Sequence, residues 1–221
     1  MNLPNKITIS RIVLILLMIV AMFVLAFIPN LANSSNNFLQ LGDSGINLIY
    51  LVFCVVFIVA AVTDFLDGYL ARKLNQVTSF GKFLDPIADK LLNNATMIFL
   101  LVPQAYAAST QRSEPMMLTI LMICVIFMIA RDLTVDAMRM IAVQKGKVVA
   151  ANMFGKAKTV LQMIAIPMLL LNDWPFRFIY GNDWPQALGI SNLFFYAATL
   201  MSIISGVIYI IQNKEVFKDT K

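Results

Sequence analysis

The sequence predicts an all-α integral membrane protein with six transmembrane helices, N- and C-termini in the cytoplasm, and a polar active-site cavity on the cytoplasmic side. Three observations carry that expectation. Hydrophobic residues make up 60% of the 221 residues and charged ones only 13%, against about 45–50% and about 25% in a soluble domain. The apolar residues gather in six runs, at 12–28, 46–62, 91–102, 116–130, 160–171 and 193–211, and about 20 apolar residues cross a bilayer. Charge is also divided unevenly among the connecting segments, and an excess of Lys and Arg marks the cytoplasmic side.

The first run follows Lys6 and Arg11, as a signal peptide would, but no small-x-small cleavage pattern closes it. A retained first helix is therefore expected. The third and fifth runs are short for a span, and reach full length only over their polar N-terminal flanks, from Gly81 and from Asn152. Helices built this way line a site, because ionisable groups inside a membrane are rare and mark function. Segments 31–45, 103–115 and 172–189 hold Arg112 and Arg177 against Asp43, Glu114, Asp173 and Asp183. The other 15 of the 17 Lys and Arg lie at the termini and in the remaining connections, which places those parts in the cytoplasm. With no linker, repeat or low-complexity tract, residues 1–221 are expected to form a single six-helix membrane domain.

Composition also removes chemistries. Without histidine there is no Ser-His-Asp triad, no HExxH zinc site and no histidine-ligated haem. Cys54 and Cys124 lie inside apolar runs without CxxC spacing and read as packing residues. The net charge of +5 suits a membrane surface better than nucleic acid in so apolar a chain. Any metal must be held by carboxylates.

Carboxylates are concentrated between the second and third runs. Asp64, Asp67, Gly68 and Ala71 share one helix face by i, i+3, i+4 and i+7 spacing, and Gly81, Asp85 and Asp89 form a second stripe at i, i+4 and i+8. Either a helix starts with Asp85 as N-cap and Pro86 at its first position, or the proline kinks a longer helix. Both arrangements place the two carboxylate pairs at the cytoplasmic ends of neighbouring antiparallel helices. Four such groups need a counter-charge, which hard divalent cations supply through oxygen ligands. A pair of such ions, Mg2+ or Mn2+, clamps the attacking and leaving oxygens of a phosphoryl displacement. Gly68, Ala71 and Gly81 leave room for a pyrophosphate to approach the backbone.

The string D-x2-D-G-x2-A-R-x8-G-x3-D-x3-D, matched at every fixed position from Asp64 to Asp89, resembles the signature of the CDP-alcohol phosphotransferases. The resemblance implies a six-helix membrane enzyme, usually a homodimer, that transfers a substituted phosphate from a CDP-linked donor to an alcohol and releases CMP. It implies that Asp64, Asp67 and Asp85 ligate two metal ions, and that Asp89 completes the site and acts as general base. It assigns Gly68, Ala71, Arg72 and Gly81 to the CDP pocket. Asn2, Pro4, Asn5, Thr8 and Arg11, with Asn152, Gly155, Lys156, Lys158, Thr159 and Gln162, are similar to the bacterial phosphatidylglycerophosphate synthases of that family. That likeness implies CDP-diacylglycerol as donor, with Asn5 and Thr8 at its site, sn-glycerol 3-phosphate as acceptor, and a bacterial cell membrane as location. A cardiolipin synthase, with phosphatidylglycerol as acceptor, is the alternative within the family. A small cation transporter is the rival outside it.

The acceptor site is read from other residues. Arg131 and Asp132 interrupt the fourth run, with Arg139 two turns beyond. A lone Arg within a bilayer costs about 2.5–3.5 kcal/mol, so Arg131 needs a partner. It is either paired structurally with Asp132 or Asp136, or it joins Arg139, Lys156 and Lys158 in a cationic pocket for the phosphate of an anionic acceptor. Lys145 and Lys147 read as topology and headgroup charges.

Overall fold

A computed structural model describes residues 3–27, 46, 48–74, 78–102, 115–146, 152–180 and 185–214. Six long helices follow one another: α1 (Leu3–Phe27), α2 (Leu48–Lys73), α3 (Ser79–Phe99), α4 (Pro115–Gln144), α5 (Met153–Leu170) and α6 (Ile190–Gln212). A helical turn at Arg177–Tyr180 and a 3-10 turn at Gln186–Leu188 precede α6, and no strand occurs among the described residues. Five helices, all but α3, are long and apolar enough to cross a membrane. The chain is thus an all-helical, multi-pass membrane protein. With 21 residues, α3 reaches about 32 Å at about 1.5 Å per residue, but Lys82, Asp85, Asp89 and Lys90 make its first half polar.

The two short runs are lengthened as expected, and cap residues show why. The Thr78 hydroxyl accepts from Gly81 N at 3.0 Å and opens α3. Asn152 Oδ1 accepts from Gly155 N at 2.7 Å and opens α5. Each satisfies a first-turn N–H that has no intrahelical acceptor. Of the two arrangements open at Pro86, the start at Asp85 is not observed and the longer helix is. Pro86 lies inside α3, so Asp85 is a helical residue, and the helix gives up one i→i−4 bond at the proline. Capping at Thr78 keeps Gly81, Asp85 and Asp89 on one continuous stripe.

In packing, α1 lies on α2 and α3, while α4 and α5 lie on α6; contacts of α2 with α5, and of α3 with α4 and α5, join the two groups. Ile15, Phe57, Leu92, Met128, Ile166 and Phe195, one from each helix, are among the residues of a common core. Leu17, Phe23, Val55, Ile126, Phe127 and Ile211 face outward. Helices that are apolar on both the core and the outer face suit a lipid-facing bundle. Cys54 and Cys124 are buried free thiols in the core. Asp173, from the segment before α6, accepts from Ser191 N at 2.7 Å and caps that helix across 18 residues. Asp43, Arg112, Glu114, Lys147 and Asp183, which enter the charge argument, lie outside the described residues.

Alternation of direction brings the start of α1, α3 and α5 and the end of α2, α4 and α6 to one side of the bundle. Polar residues of all six helices meet there.

Candidate active site

On α1, Asn5, Thr8 and Arg11 recur every three residues, and the last two are buried. Arg11 inserts between the aspartates of α2 and α3. Its Nη1 pairs with Asp64 Oδ1 and stands 3.7 Å from Asp67 Oδ2, while Nη2 stands 3.5 Å from Asp85 Oδ1. Thr8 Oγ1 donates to Asp67 Oδ2 at 2.9 Å and reaches Asp85 Oδ1 at 3.5 Å. Thr78 Oγ1 donates to Asn5 Oδ1 at 2.8 Å. A Cβ on Gly81 would lie 3.3 Å from Thr78 Oγ1 and 3.4 Å from Asn5 Oδ1, so the glycine lets these groups close. Gly68 follows Asp67 on α2. Ala71 and Arg72 lie on the last turns of that helix, and their side chains are outside the described residues.

Three carboxylates therefore converge on one guanidinium. Asp67 is 2% exposed, and among the described residues its Oδ1 has no hydrogen-bond partner. Among the described residues no three acidic, His or Cys side chains stand together as a metal cage; Arg11 occupies the space between them. By chemistry the set fits a hard divalent cation, since every donor is a carboxylate oxygen and one buried lone-pair site is unused.

A cavity of about 250 Å³ opens beside this cluster, and all four expected cations, Arg131, Arg139, Lys156 and Lys158, line it together with Asp89. Asp89 also borders a small recess shared with Arg11 and Asp64. It is the residue at which the acidic and the cationic groups meet. Asn93, one turn further along α3, donates from Nδ2 to Asp89 Oδ1 at 2.9 Å.

Arg131 is paired with Asp132 and also lines the cavity. Its Nη1 donates to Asp132 Oδ1 at 2.9 Å, and its Nη2 donates to Ser205 Oγ at 2.5 Å. Lys158 Nζ donates to Asp132 Oδ2 at 2.5 Å, so Asp132 sits between the two cations. Asp136 pairs instead with Lys90 of α3. Ser205 Oγ donates to Asn152 Oδ1 at 2.8 Å, and Asn152 Nδ2 donates to Ser205 O at 3.1 Å, which ties α5 to α6. Arg139 Nε donates to Tyr209 Oη at 3.2 Å, with the guanidinium 5.7 Å from the ring centroid.

Sequence reasoning missed four of these residues as site components, Arg11, Asn93, Ser205 and Tyr209, while Asp132 was expected as a partner of Arg131 and is one. Arg11 lies one turn beyond Thr8 on the same face, a spacing that marks it in retrospect. Ser202, Ser205 and Tyr209 form an i, i+3, i+7 stripe in an otherwise apolar span, and all three are buried.

The sequence profile of the CDP-alcohol phosphatidyltransferase family matches residues 1–209. A Bacillus subtilis protein named CDP-diacylglycerol–glycerol-3-phosphate 3-phosphatidyltransferase is 39% identical over 217 residues, 98% of this chain and 97% of the relative. A Mycoplasma pneumoniae protein of the same name is 33% identical over 227 residues, 100% of this chain and 89% of the relative. A CMP-forming cardiolipin synthase of Oryza sativa subsp. japonica is 40% identical over 158 residues, 70% of this chain but 46% of that protein.

Proposed function

The chain belongs to the CDP-alcohol phosphatidyltransferase family, and from that premise we propose that it transfers the phosphatidyl group of CDP-diacylglycerol to sn-glycerol 3-phosphate. The products are phosphatidylglycerophosphate and CMP. The observation that carries this reading is the cavity in which Arg131, Arg139, Lys156 and Lys158 gather beside Asp89. An acceptor with a dianionic phosphate and a reactive hydroxyl matches those charges. The two bacterial relatives that carry the corresponding name align over nearly the whole chain.

In this mechanism the acceptor phosphate lies against the four cations, which turns its hydroxyl toward Asp89. Asp89 takes the hydroxyl proton. The freed oxygen bonds to the phosphorus that carries diacylglycerol, and the bond from that phosphorus to the oxygen of CMP breaks, its electron pair leaving with CMP. Asn5, Thr8, Gly68, Ala71, Arg72 and Gly81 bind the donor. Asp64, Asp67, Asp85 and Asp89 would hold two divalent cations, Mg2+ or Mn2+, and such ions would supply positive charge to neutralise the diphosphate and the charge on departing CMP. With no histidine in the chain, direct displacement needs the fewest groups.

The proposal includes passage of α3 through the membrane as a sixth span, both termini in the cytoplasm of a bacterial cell, and a homodimeric assembly. The sequence bias of Lys and Arg and the gathering of polar helix ends on one side support that orientation.

The rice relative favours a second reading, in which the acceptor is phosphatidylglycerol and the product cardiolipin. The two are separated by supplying purified protein with CDP-diacylglycerol and Mg2+ or Mn2+ and measuring CMP release with each acceptor. Release with glycerol 3-phosphate is expected. Release with phosphatidylglycerol alone refutes the assignment.

A further inference from the structure

Two amide side chains on the cavity wall have incomplete hydrogen bonding. Asn93 lines the cavity and is 9% exposed. Its bond from Nδ2 to Asp89 Oδ1 sets the orientation of the amide, since the reversed group would put two oxygens together. Its Oδ1 is left buried, with no hydrogen-bond partner among the described residues. An acceptor in that state is costly to leave unpaired. Gln162, from α5, lines the same cavity and is 2% exposed. Its Nε2 points at Met97 Sδ, 3.2 Å away, and Met128 Sδ, 3.3 Å away, and thioether sulfur is a weak acceptor.

Two residues of the cavity wall thus carry an unused acceptor and a poorly used donor in the neighbourhood of the proposed base. A hydroxyl is the group that answers both, donating to one and accepting from the other. Glycerol 3-phosphate carries two hydroxyls. Its phosphate is taken by the cations and its reacting hydroxyl by Asp89, which leaves the second hydroxyl without an assigned partner.

We propose that Asn93 and Gln162 bind the non-reacting hydroxyl of the acceptor, Asn93 Oδ1 accepting its proton and Gln162 Nε2 donating to its oxygen. The pair then determines specificity, selecting a phosphorylated vicinal diol over a phosphorylated simple alcohol. This rests on the acceptor named under the proposed function.

The test compares glycerol 3-phosphate with 3-hydroxypropyl phosphate, which keeps the phosphate and the reacting hydroxyl but lacks the second one. At saturating CDP-diacylglycerol, wild-type kcat/KM for CMP release is expected to be at least about 100-fold lower with the analogue, because a site built to hydrogen-bond a hydroxyl rejects a substrate without it. In Asn93→Leu and in Gln162→Met the ratio is expected to shrink to about 10-fold or less, through loss of activity toward glycerol 3-phosphate. A wild-type ratio near one overturns the inference. So does an unchanged ratio in the variants with both acceptors slowed alike, since Asn93 would then only position Asp89 and Gln162 would only pack. If Asn93→Leu does not fold, Gln162→Met, which leaves the Asp89 partner in place, decides on the same ratio. Failure of the underlying reading looks different: wild-type protein would then release CMP with neither of these two acceptors.

Discussion

One added methyl group at Gly206 tests whether Arg131 is a fixed part of the acceptor site. A Cβ at that position on α6 would fall 2.9 Å from Arg131 Cγ and 3.9 Å from Arg131 Cβ. Carbon atoms settle about 3.5–4.0 Å apart, so the two must separate by about 0.6–1.1 Å. The Arg131 side chain has little freedom to yield. Its Nη1 is held by Asp132 at 2.9 Å and its Nη2 by Ser205 at 2.5 Å, and Ser205 is itself held by Asn152. Overpacking of this kind costs about 1–3 kcal/mol, equivalent to about 5- to 150-fold in a binding constant. Gly206→Ala is therefore expected to raise the KM for glycerol 3-phosphate by about that factor while the KM for CDP-diacylglycerol stays within about 2-fold. The assay is steady-state CMP release with each substrate varied in turn. In a Ser205→Ala background Nη2 is released, so the added methyl should cost less, with a coupling of at least about 0.5 kcal/mol. An equal rise in both KM values, or a loss of thermal stability with neither KM changed, would show that Arg131 only clamps α4 to α6.

Three further outcomes follow from the site. Asp89→Asn cannot take the acceptor proton, so turnover is expected to fall by at least about 100-fold while CDP-diacylglycerol still binds; near-normal CMP release removes Asp89 from the base role. Arg11→Gln strips three carboxylates of a counter-charge that is 3% exposed, which should destabilise the metal-free protein by about 3–5 kcal/mol. Added Mn2+ should then raise the melting temperature of the variant more than that of wild type, and equal melting temperatures in chelator would refute the pairing. Tyr209→Phe keeps the ring under Arg139 but removes the hydroxyl that accepts from Nε, so the KM for glycerol 3-phosphate should rise by about 2- to 12-fold at constant kcat. An unchanged KM would place Arg139 outside the acceptor contact.

The legible parts of this protein are those written in local pattern. Unbroken apolar runs located the six long helices, five of them apolar enough to cross a membrane among the described residues, and the polar flanks at Gly81 and Asn152 anticipated where α3 and α5 lengthen. The spacing of Asp64 with Asp67, and of Gly81 with Asp85 and Asp89, placed each stripe on one face before any packing was known. At Pro86 the local pattern left two arrangements open. The proline's preference for a first helical turn was outweighed by the cap at Thr78, eight residues upstream, which satisfies Gly81 N. Arg11 was not legible as the partner of three aspartates, because nothing within α1 states which helices it faces. Ser205 and Tyr209 were hidden for a related reason: in a long apolar span they pass for ordinary tolerated residues until α6 is docked on α4 and α5.

Pairing among the charges also explains how the four cavity cations divide. An ionised group near a bilayer is tolerated when a partner offsets the loss of water. Arg131 and Lys158 share Asp132, and Lys90 is matched by Asp136. These contacts cross from α3 to α4 and from α4 to α5, so they fasten helices as well as cancel charge. Among the described residues Arg139 and Lys156 have no carboxylate partner, and both are more exposed than Lys158. With Asp132 and Asp89 set against Arg131, Lys158, Arg139 and Lys156, the cavity retains about two positive charges, and a phosphate monoester carries about −1.5 to −2 at neutral pH. In the proposed reading, the acceptor phosphate completes a neutrality that the helices alone leave open. On that reading Arg131 and Lys158, held in place by Asp132, would contribute hydrogen-bond donors at fixed positions, whereas Arg139 and Lys156 would contribute most of the net attraction. A phosphodiester such as phosphatidylglycerol brings only one negative charge and would leave one of those cations unmatched, which is why the charge inventory favours the smaller, dianionic acceptor.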